Sequence, residues 1–153
     1  MTACTHAHAR TPADVAATLG EAERLAVAQG HRWTEPRRRV LELLVEAGEP
    51  VKAYDLMASY GEDGAKPATV YRALEFLEKV GLVHRIVSLS AFQACVGHDG
   101  AHGAAFLICD CCGSAEEFEA AAGDQVSDAA RAHGFGVERV MVEVHGRCRA
   151  CAA

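Results

Sequence analysis

Seven cysteines are the residues best suited to chemistry in this chain, and four of them form two pairs, Cys109-x-x-Cys112-Gly113 and Cys148-x-x-Cys151. A C-x2-C turn lets two thiolates converge on one ion, and the glycine after Cys112 eases the tight backbone. The pairs are separated by 35 residues, and together they complete a closed tetrahedral Cys4 set. Soft sulfur donors in that geometry favour structural zinc. The rival reading is a pair of redox dithiols, yet neither pair opens a helix in a thioredoxin-like βαβ setting. Cys111 lies inside the first motif. It could replace Cys112, although a C-x-C loop chelates less well, or stand as a spare thiol.

A second set is scattered along the chain: His84, Cys95, His102 and Glu117. Two imidazoles, a thiolate and a carboxylate would make a mixed site of softer affinity than Cys4. Spacing alone leaves open the reading that these are ordinary polar residues. Each lies near a strand end or a Gly-rich hinge, so a site there would couple metal occupancy to domain orientation. Cys4, His6 and His8 read as metal ligands or as a solvated tail. His98 and His133, with Asp99 or Glu119, read as a further site or as surface residues. His145 reads as local packing or outer-sphere support for the cysteines, while His31 and Trp33 read as structural.

Elements must hold these groups in place. Thr11-Pro12 resembles an N-cap with proline at the first helical position, and apolar residues recur at helical spacing up to Gly30. A second helix is expected from Thr34-Glu35-Pro36 to Gly48, and a short third from Ala53 to Ser59. The fourth runs from Pro67 through Val70, Leu74, Leu77 and Val80 to Gly81. That spacing makes one buried stripe and leaves Tyr71, Arg72 and Glu75 off it, where a partner could meet them. Residues 82–87 and 91–96 then read as a hairpin joined by Ser88-Leu89-Ser90. Helices followed by a small hairpin are the parts of a winged helix. The second part is expected to hold strands at 105–109, 117–119 and 136–144 and a helix at 123–133. With only some 50 residues, such a unit usually needs a metal or a partner subunit. The fold class is thus α+β: a winged helix-turn-helix domain over 1–96, a hinge over 97–103 and a small α/β domain over 104–153.

Half of the 153 residues are apolar and 24% are charged, as in a soluble globular protein. No apolar run approaches a membrane span, and Met1–Arg10 lacks the apolar core of a signal peptide. A cytoplasmic location is expected, where spaced cysteines bind metal more often than they form disulfides. The net charge of -6 argues at first against nucleic acid. The acidity is concentrated late, however: residues 91–153 carry 4 Lys+Arg against 9 Asp+Glu. The near-neutral first part can still present a basic face, with Arg37-Arg38-Arg39 either on it or on a merely solvated helix face.

Taken together, several segments resemble the ferric uptake regulator family, most closely its zinc-responsive branch. They are Thr34-Glu35-Pro36-Arg37, Ala53-Tyr54-Asp55-Leu56, Lys66 to Leu74, Phe106 to Gly113 and His145 to Cys151. The resemblance runs from about Leu25 to Cys151. It implies a winged-helix domain and a dimerisation domain, structural zinc on Cys109, Cys112, Cys148 and Cys151, and regulatory zinc on His84, Cys95, His102 and Glu117. It also places Tyr54 and Arg72 on positions that contact DNA bases. The iron branch has a hinge richer in adjacent histidines, whereas Gly97, Gly100 and Gly103 thin that cluster here.

The expected function is a zinc-responsive repressor that binds operator DNA of zinc-uptake genes as a homodimer, with one dimer or two on an operator. Each subunit would carry one structural and one regulatory zinc. Arg72 suits a bidentate guanine contact, Tyr54 an apolar contact with thymine methyls, and Tyr71 lies beside them. Lys66 and Arg37 would touch phosphate. The same fold responding to iron or peroxide is the alternative. An enzyme is not expected, because the chain has neither an H-E-x-x-H motif nor a Ser-centred nucleophile motif.

Overall fold

A computed structural model describes residues 11–95, 104–118 and 122–152. The described residues up to Cys95 form one compact unit and those from Ala104 another. The residues of the expected hinge (97–103), together with Cys4, His6, His8, His98, Asp99, His102 and Glu119, lie outside the described residues.

In the first unit, helix α1 (Pro12–Ala28) opens on a capping box. The Thr11 hydroxyl accepts from the Asp14 amide at 3.2 Å, while the Asp14 carboxylate accepts from the Thr11 amide at 3.0 Å. Helix α2 (Glu35–Ala47) has proline in its first turn and ends at Gly48, whose φ of 63° is the left-handed conformation glycine adopts without penalty. A two-residue strand β1 (Val51–Lys52) leads into α3 (Ala53–Ser59). Helix α4 (Pro67–Lys79) follows, then strands β2 (Val83–Ile86) and β3 (Ala91–Ala94).

The expected hairpin is present and antiparallel, with His84 opposite Gln93 and Ile86 opposite Ala91. Strand β1 adds to its other side, pairing Val51 with Phe92, so the sheet order is β1-β3-β2. Nothing in two residues of sequence signals that third strand. Val70, Leu74 and Leu77 of α4 and its C-cap Val80 are all buried, and they join Val40, Leu41, Leu44, Val45 and Leu56 in one core. The sheet contributes one face to this core: Val83, Phe92 and Ala94. His84, Ile86, Ala91 and Gln93 alternate onto the opposite face.

The second unit holds β4 (Ala104–Cys109), β5 (Ala115–Glu117), α5 (Ala122–Ala132) and β6 (Met141–Gly146). β4 lies centrally, antiparallel to β5 and parallel to β6. A parallel pair needs a crossover connection, and α5 lies in it. Two expectations need correction here. The strand expected at 136–144 begins only at Met141, despite Val137 and Val140. Its ladder with β4 runs, among the described residues, from Met141 opposite Ala104 to Gly146 opposite Cys109. The strand expected at 117–119 lies at 115–117, because its partners on β4 are Phe106 to Ile108.

Candidate metal centre and nucleic-acid interface

The parallel pairing of β4 and β6 explains why two distant cysteine pairs can share one ion. Cys109 ends β4 and lies opposite Gly146 at the end of β6, so the chain turns out of both strands at the same edge. After β4, Gly113 takes a φ of 74°; its amide donates to the Cys109 carbonyl at 2.8 Å, and the Cys109 amide donates to the Ser114 carbonyl at 2.9 Å. After β6, the amides of Cys151 and Ala152 both donate to the Cys148 carbonyl at 2.9 Å. The two turns are tied together, with the Asp110 amide donating to the Gly146 carbonyl at 2.8 Å.

All four sulfurs, from Cys109, Cys112, Cys148 and Cys151, lie within 4.8 Å of one another. Those of Cys112 and Cys148 are 3.9 Å apart. Four sulfurs at about 2.3 Å from a tetrahedral zinc would be separated by about 3.8 Å. Donor set and spacing therefore both fit a closed structural zinc site. At Cys109, backbone donors already favour the thiolate form. The Cys148 amide, donating to the Cys109 sulfur at 3.3 Å, leads the groups that lower the Cys109 thiol to about 6. The Ser114 hydroxyl, 3.2 Å from the Cys112 sulfur, lowers that thiol too. Cys111 is exposed and lies outside the sulfur cluster.

His145 braces the same edge. Its Nδ1 is 2.9 Å from Asp110 and its Nε2 is 3.5 Å from Glu143. The hydrogen bond to Asp110 raises the imidazole pKa above its ordinary value. Asp110 stands between two cysteines, so this ion pair holds the first turn against the strand leading to the second. Neither Asp110 nor Ser114 was marked by the spacing of the cysteines. The Cys-Gly-Ser order at 112–114 was the available signal for Ser114.

Of the scattered set, His84 and Cys95 come together within the first unit, their ligand atoms within 4.8 Å of each other. Cys95 is buried and its amide extends the hairpin ladder, donating to the Leu82 carbonyl at 2.9 Å. Glu117 ends β5 in the second unit. His133 follows α5 and is exposed.

The residues expected to meet nucleic acid lie on the open side of α3 and α4. Tyr54 on α3 is 78% exposed and Tyr71 on α4 is 54% exposed. Both rings stand where a partner could meet them. Arg72 is exposed beside Tyr71, and Lys66 is exposed at the N-cap of α4, whose first turn carries no acidic residue. Tyr54, Tyr71, Glu75, Arg85 and Lys52 line one open groove between these helices and the hairpin. The three arginines of α2 are more engaged than a solvated row would be. The Arg37 guanidinium lies 3.4 Å over the Phe76 ring and donates to the Arg32 carbonyl. Arg39 pairs with Glu42 at 2.7 Å and donates to the Tyr60 carbonyl at 3.1 Å. Arg38 lies 3.8 Å from Glu42. His31 stacks edge-on against Phe76, as expected of a structural residue.

Comparison with known proteins agrees with this architecture. The model of the ferric uptake regulator family matches residues 28–145. The zinc uptake regulation protein of Escherichia coli (strain K12) is 38% identical over 138 residues, covering 87% of this chain and 80% of that protein. A crystal structure of holo XcZur is 41% identical, with a TM-score of 0.81 over 89% of this chain and 97% of that one. A zinc uptake regulator complexed with zinc and DNA is 35% identical, with a TM-score of 0.84 over 94% of this chain and 97% of that one. No helix among the described residues is long and apolar enough to cross a membrane. The chain belongs to the ferric uptake regulator family, and zinc uptake regulators are among its relatives.

Proposed function

We propose that this protein is a zinc-responsive transcriptional repressor, binding operator DNA as a homodimer in the cytoplasm. The observation that carries the reading is α4, whose buried stripe fixes it to the core while Tyr71 and Arg72 stand exposed on its other side. Such a helix can enter a major groove without disturbing the fold. Similarity to a zinc uptake regulator complexed with zinc and DNA supports the same assignment.

Arg72 reads guanine through its planar fork, and Tyr54 and Tyr71 offer ring faces and hydroxyls to neighbouring bases. Lys66 neutralises phosphate at the start of the helix. Arg37, held over Phe76, presents its remaining donors to the backbone. Cys109, Cys112, Cys148 and Cys151 hold one zinc whose role is structural. His84, Cys95, His102 and Glu117 hold a second, regulatory zinc. Bound there, zinc would act as the effector that favours the DNA-binding form. Dimerisation uses the second unit. Leu107 and Val144, neighbours in register on β4 and β6, are 43% and 46% exposed on one face of the sheet. This role is regulatory and involves no catalysis.

The deciding experiment titrates zinc against operator binding by the purified protein. Affinity rising with zinc, and lost after Cys95→Ser, supports the reading. Equal affinity with and without zinc overturns it, and a response to iron in place of zinc reassigns the signal.

A further inference from the structure

Gln93 stands out among the buried polar groups of the first unit. Its Oε1 is buried and has no hydrogen-bond partner among the described residues. A buried amide oxygen left unpaired has lost its hydration without compensation, so such a group calls for an explanation. The register of the hairpin supplies one. Gln93 lies directly opposite His84 across the β2–β3 ladder, and Cys95 follows two residues later, just past the end of β3, where its amide continues the ladder to the Leu82 carbonyl. Opposite residues of an antiparallel pair, and residues two apart on one strand, project from the same face. His84, Gln93 and Cys95 therefore share the face turned away from the hydrophobic core, and the ligand atoms of His84 and Cys95 are within 4.8 Å of each other.

We infer that Gln93 is a positioning residue of the regulatory zinc site, its side-chain oxygen accepting the N–H of His84 when the other ring nitrogen binds metal. This rests on the assignment of His84 and Cys95 as zinc ligands made above. A metal-ligating imidazole almost always donates its second nitrogen to a carboxylate, carbonyl or water; that bond fixes the tautomer and the ring orientation. The side-chain amide of Gln93 offers a carbonyl of this kind on the same face, one strand away. By fixing the tautomer and orientation of His84, Gln93 strengthens zinc binding at this site.

The inference is tested on the full-length protein with zinc alone as the probe. His84→Ala, Gln93→Leu and Gln93→Glu are compared by zinc competition titration and by melting of the protein with only the Cys4 site filled. Gln93→Leu is expected to weaken the second zinc by about 10–100-fold. The melting temperature should be unchanged or raised, because a buried unsatisfied oxygen has been removed. Gln93→Glu, which keeps an acceptor, should bind at least as tightly as wild type. Unchanged zinc affinity in Gln93→Leu overturns the inference, as does weaker binding accompanied by a lower melting temperature. Retention of the second zinc by His84→Ala would instead overturn the ligand assignment itself, and the inference with it.

Discussion

The amide N–H of Cys148 points at the sulfur of Cys109 across 3.3 Å, joining two residues separated by 39 positions in sequence. It is the kind of contact that lowers a thiol pKa before any metal arrives, since an N–H donor stabilises the thiolate. The second turn thus helps prepare the first to bind.

The first prediction concerns pH. The Cys109 thiol sits at about 6 in the folded chain against an ordinary 9.0. A depressed acid pKa contributes stability that is fully present above the unfolded value and is lost as pH falls through the folded one. The Cys109 contribution to the stability of the second unit should therefore be lost on acidification from about pH 9 to pH 6. Zinc affinity should fall as pH drops, because protons compete for sulfur. Melting and zinc release measured across this range check both expectations; a profile flat from pH 9 to pH 5 would contradict them.

Removing one sulfur ligand should unfold one unit and spare the other. Cys112→Ser leaves three thiolates, and a structural zinc site contributes roughly 10–16 kcal/mol at neutral pH. Hydrogen exchange should then show residues 104–118 and 122–152 losing protection while α1 to α4 keep theirs, because the first unit has its own core. Uniform loss across the chain would show instead that the two units fold together.

On operator DNA, Arg72→Ala and Lys66→Ala should differ in kind. Loss of a bidentate arginine contact should cost about 1–3 kcal/mol and relax preference at one base pair. Loss of a phosphate contact should weaken all sequences alike and reduce the salt slope by about 1. Binding measured at several salt concentrations on matched and mutated operators separates them.

The helical segments were largely legible because apolar periodicity reports burial directly. α3 falls on the residues expected, and the buried stripe of α4 and its C-cap holds the four positions its spacing marked. What failed depended on partners far away in sequence. Val137 and Val140 look like strand residues, but β6 starts only at Met141, opposite Ala104. The two residues of β1 have no pattern at all, and they pair with a strand some 40 positions later. For the candidate metal centre, the four cysteines that cluster were readable from C-x2-C spacing, whereas the parallel pairing that brings the two turns together was not. Gln93 shows the same limit: only the register of the hairpin sets it opposite His84.

Backbone geometry gives a further expectation at the turn before α4. Gly64 has a φ of 68°, and a Cβ there would lie 3.1 Å from the Met57 carbonyl oxygen. The Ala65 amide bonds that same carbonyl at 3.0 Å. Gly64→Ala should destabilise the first unit by at least 1–2 kcal/mol, on the order of the left-handed penalty for a non-glycine residue. Chemical denaturation gives the value, and Gly61→Ala, which meets nothing within 4 Å, is the control.

The parallel relation of β4 and β6 also orders events during synthesis. A ribosome completes Cys109 and Cys112 first, and two sulfurs alone make an open, weakly held site. The remaining pair becomes available only after the segment through α5 has emerged and folded back, since a parallel partner cannot be reached by a tight turn. Zinc captured early would thus be held provisionally, and the nascent second unit would depend on chain elongation for its final lock.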